Sequence, residues 1–377
     1  MGKKIIYLDN AATMPVYKEV VREMEKFYSM EYGNPSSIHE MGEKAQEAVN
    51  EARKKLALEI NAKIHEVIFT SGSTESNNLA FFGLAQSILG KKKKKIIISV
   101  IEHSSIFEIC DALKKEGFQI IEIPVNKEGI LNISRLEKEI DDSVLLVSVI
   151  HVNNEIGVIQ DIEKIGEVCK SKDVIFHTDC AQSFGKIKID VEKMGIDLLS
   201  AGAHKIGGPK GIGFLYIRSG IELEPLIYGG GQERGLRGGT ENVPGIIGFR
   251  KALDLIKKID QIKIRKIRDY FFYEIEKIGG KINGSKDKRI YNNVNVSFSG
   301  VDGNSLVIFL SQKGIMCSAG SACDSKKQKE SKVLREIGLN KKDILGSLRF
   351  GLDENITKRG IDFVVSEIKK SSRITQR

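Results

Sequence analysis

The chain has 377 residues, 41% of them hydrophobic, which is more than a single core usually holds, so we expect two domains. Its apolar runs are no longer than a strand and its first residues lack a signal-peptide core, which excludes a membrane span and predicts a cytoplasmic protein. The net charge of +9 comes without interleaved aromatic residues, so direct nucleic-acid binding is not expected.

From about residue 60 to 220, short β-branched runs alternate with helical stretches. The predicted strands are 66–70, 96–100, 144–150, 174–179, 198–201 and 213–217. This alternation predicts an α/β fold with a mostly parallel, doubly wound sheet. After it, a Lys/Ile-periodic segment from Gly245 to about Ile278 predicts one long amphipathic helix.

The remaining pattern predicts a second, smaller α/β domain at the C-terminal end. Strand 293–298, helix 303–313 and strand 347–352 follow one another there. The predicted domains are therefore a large one over 14–255 and a small one over 256–377 together with 1–13.

The first predicted strand leads into a small polar turn that contains Ser73 and Thr74, and a helical run follows. A strand, a turn and a helix start present free N–H groups and the positive end of the helix dipole to an anion. The two hydroxyl groups would add hydrogen bonds, which predicts a phosphate-binding turn. An ordinary serine–threonine helix cap is the alternative.

A carboxylate, Asp179, ends the strand predicted at 174–179 and precedes Gln182 by three residues. Burying a carboxylate costs free energy unless a cation meets it, and a protonated pyridine nitrogen is such a cation. Protonation of that nitrogen makes pyridoxal phosphate an electron sink. We therefore predict that Asp179 contacts this cofactor, and capping of the next helix is the alternative.

Lys205 follows the next strand, between small and glycine residues. Such neighbours leave room for a Schiff base and for a lowered lysine pKa. Ligands of doubly wound sheets bind beyond the carboxyl ends of the strands, so Lys205 would share one edge with Asp179 and the phosphate-binding turn. We predict that Lys205 binds the cofactor, with an exposed loop lysine as the alternative.

Two further residues can reach the same edge of the sheet. His103 follows the strand predicted at 96–100, where it could stack on a ring or move protons near neutral pH; a structural histidine is the alternative. Arg349 stands in an otherwise apolar strand and needs an anion. A substrate carboxylate held by two parallel bonds would serve, and an internal salt bridge is the alternative.

Cys323 lies in a stretch of small residues ahead of a lysine-rich run, which predicts a mobile loop and favours the reactive thiolate. Cys317 is predicted to be a small core residue. An odd number of cysteines without C-x-x-C spacing argues against a disulfide framework and a metal site, and favours a reducing compartment. The five cysteines are Cys110, Cys169, Cys180, Cys317 and Cys323.

Together these motifs resemble the cysteine desulfurases of the NifS/IscS kind, in the class V aminotransferase group of fold-type I pyridoxal-phosphate enzymes. The resemblance covers essentially the whole chain and includes YLDNAAT at 7–13, GNP at 33–35, HVNNEIG at 151–157 and the glycine-rich sequence at 229–240. It implies a fold-type I pyridoxal-phosphate-dependent transferase that converts L-cysteine to L-alanine. The sulfur would leave as a persulfide on Cys323, for an acceptor such as an iron–sulfur scaffold or a tRNA-thiolation enzyme.

The resemblance also implies a role for each site residue. Lys205 would bind pyridoxal phosphate covalently, Asp179 would contact its pyridine nitrogen, Gln182 its phenolic oxygen, and His103 would stack on the ring and move protons. The phosphate would be held by Thr74, His204 and, from a neighbouring subunit, Thr240, whereas Asn154 and Arg349 would place the substrate. A contact from a second subunit implies a homodimer.

Two positions depart from the family pattern. The family commonly has a serine three residues before the lysine, where this chain has Gly202, so one hydrogen bond to the phosphate is expected to be missing. A basic run with Lys329 and Glu330 replaces the usual Glu-Pro segment, which leaves the identity of the sulfur acceptor open. Cys317 is also unusual for the family, and a disulfide with Cys323 or a relay of sulfur to it stays open.

Three alternative functions have to be weighed against the desulfurase. A selenocysteine lyase of the same family and a plain aminotransferase need no cysteine nucleophile, so Cys323 argues against both. A catalytically silent scaffold of the same fold is the third. Intact Lys205, Asp179 and Cys323 argue against it.

Overall fold

The computed structural model describes residues 5–320 and 330–375, with side chains described to residue 371, so Cys323 lies outside the described residues. The strands are β1 (Ile6–Tyr7), β2 (Val67–Thr70), β3 (Lys95–Ser99), β4 (Gln119–Ile123), β5 (Val144–Ser148), β6 (Ile175–Asp179), β7 (Leu198–Gly202), β8 (Gly213–Ile217), β9 (Lys281–Ile282), β10 (Asn293–Ser297), β11 (Ile315–Met316), β12 (Ser318–Ala319) and β13 (Ser347–Gly351). The α-helices are α1 (Lys18–Ser29), α2 (Glu40–Glu59), α3 (Ser73–Gln86), α4 (Ile88–Lys92), α5 (Ser104–Lys115), α6 (Ile133–Glu139), α7 (Ile162–Ser171), α8 (Val243–Ile256), α9 (Gln261–Lys277), α10 (Gly303–Gln312), α11 (Lys332–Glu336), α12 (Lys341–Leu345) and α13 (Lys358–Thr375). In this part of the chain no helix is both long and apolar enough to cross a membrane.

The large sheet has seven strands in the order β2-β8-β7-β6-β5-β3-β4. Its inner strands pair in parallel, and β8 alone runs antiparallel to both of its neighbours. The six predicted strands are confirmed because each is a nearly continuous buried run, which is the pattern of a sheet covered on both faces. The sequence prediction missed β4, an edge strand whose side chains are mostly half-exposed or exposed.

Helices cover both faces of the large sheet, as the doubly wound prediction requires. One apolar cluster packs α2 and α8 onto one face, and a second packs α3 and α5 onto the other. Burial on both faces makes the backbone of the inner strands rigid, so the residues that follow them are held in place.

The single long helix predicted from Gly245 to about Ile278 is wrong. The segment forms two helices, α8 and α9, which are separated by a turn over residues 257–260. Asp260 caps the second helix, because its carboxylate accepts a hydrogen bond from the backbone N–H of Lys263 at 2.9 Å. The Lys/Ile period continues through the turn, so it could not indicate the break.

The C-terminal part of the chain builds its own sheet and its own core. Strands β12, β13, β10 and β9 form a four-stranded antiparallel sheet, and β1 pairs in parallel with β11. Leu8 lies in the apolar cluster of this part, together with side chains of α9, α10 and α13. Leu8 and β1 thus pack against the C-terminal part of the chain, while the division into domains 14–255 and 256–377 with 1–13 stays a prediction.

Candidate active site

A cavity of about 530 Å³ lies at the carboxyl ends of the strands of the large sheet. The segments that follow β3, β5, β6 and β7 converge there, as expected of a doubly wound sheet. The predicted site residues that line the cavity are Ser73, Thr74, His103, Asn154, Asp179, Gln182, His204, Lys205 and Arg349.

Lys205 reaches into the cavity and is held by the N-terminal segment. Its Nζ donates to the carbonyl oxygens of Ala11 at 2.7 Å and Ala12 at 2.6 Å. Gln182 Nε2 donates to the same oxygen of Ala11 at 2.8 Å. Burial, and then the charge of Lys205, lowers the pKa of the neighbouring Lys186 to about 7. Two amines therefore lie close together here, one buried and one at the cavity.

Asp179 ends β6 and is buried, with only 2% of its surface exposed. Its Oδ1 accepts a hydrogen bond from the backbone N–H of Ala181 at 2.8 Å, and its Oδ2 accepts one from Asn77 Nδ2 at 2.9 Å. Both donors are neutral, so a cation bound in the cavity would further stabilise the carboxylate. A turn rather than a helix follows Asp179, so the helix-cap alternative is not observed.

Glu102 is a second acid buried near the cavity. Its Oε1 accepts hydrogen bonds from Ser99 Oγ at 2.5 Å and from the backbone N–H of Ile150 at 2.8 Å. Burial, aided by the charge of Asp179, raises the pKa of Glu102 to about 8. This side chain is therefore mostly protonated at neutral pH, so that Asp179 has a neutral neighbour.

His103 lines the cavity directly after Glu102 and caps helix α5. Its Nδ1 accepts a hydrogen bond from the backbone N–H of Ser105 at 3.2 Å and lies 2.9 Å from the hydroxyl of the same residue. These bonds fix the ring at the cavity wall.

The predicted phosphate-binding turn lies at the start of α3. Gly72 precedes the helix with a φ of +153°, a conformation that favours glycine, and no side chain caps the helix. The first N–H groups of a helix lack partners within the helix, so those of α3 are available to an anion. Ser73 Oγ is buried and forms no hydrogen bond to the described residues. The alternative of an ordinary serine–threonine cap is not observed.

His204 lines the cavity next to Lys205. Its Nδ1 lies 3.2 Å from Thr13 Oγ1. Burial, and then the charges of Lys205, Lys210 and Lys186, lowers the pKa of His204 to about 4. The imidazole is therefore neutral at pH 7 and can donate one N–H bond to an anion.

Arg349 reaches the cavity from β13 of the small sheet. Its Nη2 lies 3.0 Å from Asp9 Oδ1, and its Nη1 donates to the carbonyl oxygen of Asn154 at 3.1 Å. Ser318 Oγ donates to the same oxygen of Asp9 at 2.8 Å. The internal salt bridge that the sequence left as an alternative is thus present. Arg349 nevertheless lines the cavity, and its Nε is buried without a partner among the described residues.

Thr240 is the predicted site residue that this fold keeps out of the cavity. It is exposed, at the end of the loop that follows β8. Glu233 anchors that loop through two hydrogen bonds from Arg53, at 2.6 and 2.7 Å. Arg237 pairs at 3.1 Å with Glu75, which lines the cavity. The loop is therefore fixed beside the cavity, and Thr240 is exposed and does not line it.

The family model described as aminotransferase class-V matches residues 6–364. The chain belongs to the class-V aminotransferase family. A relative from Dictyoglomus turgidum, named cysteine desulfurase IscS, is 43% identical over 373 residues, which cover 98% of this chain and 94% of the relative. A solved structure of a NifS-like protein has a TM-score of 0.93 at 35% identity and covers 98% of this chain and 100% of that one. Another, titled SspA in complex with cysteine, has a TM-score of 0.84 at 37% identity and covers 94% and 100%.

Three observations show that the cavity fits pyridoxal phosphate, the cofactor of the family. Lys205 offers an amine. Asp179 offers a buried carboxylate whose hydrogen-bond donors are neutral. Ser73 offers a buried hydroxyl group at a helix N-terminus. These groups match the aldehyde, the pyridine nitrogen and the phosphate of the cofactor.

The prediction from the sequence did not assign some of the residues at this site. Asn77 stands one helical turn after Ser73 on α3, and that spacing was the signal available for it. Glu102 was given no role from the sequence, because a sequence does not show that an acid is buried. The hydrogen bonds from Lys205 to the carbonyl groups of Ala11 and Ala12 could not be predicted, because every residue has the same backbone carbonyl group.

Replacing Glu102 is expected to change how the free energy of unfolding depends on pH. The pKa of Glu102 is about 8 in the folded protein against an ordinary value of 4.5, so its stabilising effect is full below the ordinary value and is lost as pH rises through about 8. Glutamine resembles the protonated acid and does not titrate. We therefore expect the stability of Glu102→Gln relative to the wild type to rise by about 4 kcal/mol between pH 5 and 9.

Thermal unfolding at several pH values measures this gain. Glu108→Gln, on the exposed side of α5, is the matched control and should follow the wild type at every pH. Parallel curves for wild type and Glu102→Gln would mean that Glu102 is ionised in the folded protein.

Proposed function

We propose that this chain is a pyridoxal-phosphate-dependent cysteine desulfurase that converts L-cysteine to L-alanine and carries the sulfur on Cys323. The observation that carries the proposal is the convergence of Lys205, the buried Asp179 and Arg349 on one cavity. The relative named cysteine desulfurase IscS and the similar structure that contains cysteine support the same substrate. Pyridoxal phosphate, when bound, supplies an electron-withdrawing ring that stabilises negative charge at the substrate Cα.

Each end of the cavity has its own task. Ser73 and Thr74, with the N-terminus of α3 and neutral His204, hold the phosphate. Asp179 stabilises the positive charge of the pyridine nitrogen, and Gln182 bonds the phenolic oxygen. Together these residues would hold the two ends of the cofactor.

At the reacting centre, Lys205 would take the proton from the substrate Cα, and His103 would lie against the cofactor and move protons. Arg349 holds the substrate carboxylate, and Asn154 lies beside it. Arg349 already pairs with Asp9, and this pair keeps the guanidinium oriented before substrate binds.

The sulfur step uses Cys323. Its thiolate attacks the substrate sulfur, so that a sulfur–sulfur bond forms while the Cβ–S bond of cysteine breaks. The electron pair of that bond stays with Cβ, which takes up a proton, and Lys205 returns a proton to Cα, so that the product is alanine. The persulfide on Cys323 is then passed to an acceptor protein, for which an iron–sulfur scaffold or a tRNA-thiolation enzyme is the proposed class.

The proposal includes a homodimer in the cytoplasm. Thr240 lies outside the cavity of its own chain, on a loop that Glu233 anchors next to it. A second copy would bring its Thr240 to the phosphate, where a hydroxyl donor is useful. The odd number of cysteines in the sequence supports a reducing compartment.

The enzyme loaded with pyridoxal phosphate is expected to form alanine and sulfide in equal amounts from L-cysteine in the presence of a reducing thiol. Asp179→Asn should still bind the cofactor but lower kcat about 100-fold or more, because a neutral amide cannot stabilise the charged pyridine nitrogen. Alanine and sulfide assays, with cofactor absorbance as the binding measure, test both statements.

The same assay separates the alternative functions. Formation of a 2-oxo acid from cysteine would indicate an aminotransferase, turnover of selenocysteine alone would indicate a selenocysteine lyase, and no turnover would indicate a silent scaffold. Wild-type kcat in Asp179→Asn would contradict the role proposed for that residue.

A further inference from the structure

Ser73 and Gly202 meet at the phosphate end of the cavity. Ser73 begins α3, and Gly202 ends β7 shortly before His204 and Lys205. A Cβ atom placed on Gly202 would lie only 2.8 Å from Ser73 Oγ, closer than real Cβ contacts allow. Any side chain at residue 202 would therefore compete with the Ser73 hydroxyl for the same space.

The backbone at Gly202 does not require glycine. Its φ of −144° and ψ of 146° are extended values that any residue adopts. The other atoms near such a Cβ are Ser73 N at 3.5 Å and His204 Cδ2 at 3.9 Å, which are ordinary van der Waals contacts. The Ser73 hydroxyl is thus the single close obstacle to a side chain at this position.

That hydroxyl group is itself buried and forms no hydrogen bond within the described part of the chain. It belongs to the first residue of a 14-residue helix and lines the cavity. A buried hydroxyl in native proteins normally has a partner. The N-terminus of α3 attracts an anion, so the missing partner of Ser73 Oγ is an anionic acceptor in the cavity.

We propose that Ser73 supplies the phosphate hydrogen bond that Gly202 cannot, and that residues 73 and 202 form an exchangeable pair which carries one hydroxyl group between them. This inference rests on the proposed function, because the anion is the phosphate of pyridoxal phosphate. Gly202 has no hydroxyl group to offer the phosphate, and Ser73, on the facing side of the cavity, offers one instead.

Four variants of the full-length enzyme, stripped of cofactor and titrated with pyridoxal phosphate, test the pair. Ser73→Ala should weaken binding about tenfold or more, because one hydrogen bond to a charged group is lost. Gly202→Ser should also weaken binding, because its Cβ displaces Ser73 Oγ. The double variant Ser73→Ala/Gly202→Ser should recover wild-type affinity, since it moves the hydroxyl to the other wall without the clash.

The matched control is Ser73→Ala/Gly202→Ala, which relieves the same clash but carries no hydroxyl and should stay as weak as Ser73→Ala. Pyridoxal, which lacks the phosphate, should bind wild type and Ser73→Ala equally. Thermal unfolding of the cofactor-free proteins shows that each variant is folded.

Different results would overturn the proposed function and the pairing of residues 73 and 202. If the wild type binds no pyridoxal phosphate, the proposed function fails. If the wild type binds it and Ser73→Ala binds it equally well, or if the serine and alanine double variants are equally weak, the exchange between residues 73 and 202 is wrong. An equal loss of pyridoxal binding in Ser73→Ala would also overturn it, because the effect would not lie at the phosphate.

Discussion

Lys205→Ala is expected to abolish alanine formation, with a loss of roughly a thousandfold or more in kcat. Lys205 lines the cavity together with Asp179, and the carbonyl groups of Ala11 and Ala12 hold its amine there. Without it, the absorbance of lysine-bound pyridoxal phosphate should disappear, and the substrate Cα should lose its base. Absorbance spectra and an alanine assay on the reconstituted variant measure the two effects.

Lys188→Ala is the matched control for this variant. Lys188 is an exposed lysine outside the cavity lining, so its replacement should leave both the spectrum and the rate unchanged. A Lys205→Ala protein that keeps the yellow chromophore and makes alanine at the wild-type rate would remove Lys205 from the mechanism. The buried Lys186, with its pKa lowered to about 7, would then be the next amine to replace.

Cys323→Ser is expected to separate substrate binding from sulfur removal. The serine hydroxyl is too weakly acidic to supply an attacking anion, so L-cysteine should still bind and change the cofactor spectrum while neither alanine nor sulfide accumulates. The expected loss in turnover is about a thousandfold or more. Selenocysteine, with its better leaving group, should still be turned over.

Cys317→Ser is the informative comparison. Cys317 is buried, and burial raises its pKa to about 12, which disfavours the thiolate that would attack the substrate sulfur. Its place in the apolar cluster of the small domain confirms the predicted core position. The variant should keep desulfurase activity, although some loss of stability is expected from a hydroxyl placed in that core. If Cys323→Ser released sulfide at the wild-type rate and Cys317→Ser released none, Cys317 would be the nucleophile and Cys323 would not.

The sequence was sufficient for those parts of the fold and site that depend on local pattern. Buried β-branched runs indicated the inner strands, because a strand covered on both faces needs apolar residues at every position. Once the strands were assigned, the rule that ligands bind beyond their carboxyl ends placed His103, Asp179 and Lys205 at one edge, where the cavity is found.

The features that were missed depend on tertiary contacts or on weak patterns. Strand β4 is half-exposed and so lacks the buried pattern, and a continuous apolar period hid the turn before Asp260. The pairing of Arg349 with Asp9 joins residues 340 positions apart, and no local signal indicates such a contact. The contact between Ser73 and Gly202 likewise exists only once α3 and β7 have packed together.

The most direct test of the account is to give the enzyme one equivalent of L-cysteine and to analyse its peptides by mass spectrometry. We expect one alanine per active site and one added sulfur atom on the peptide that contains Cys323. Sulfur found only on Cys110, Cys169 or Cys180, or added sulfur without alanine, would contradict it.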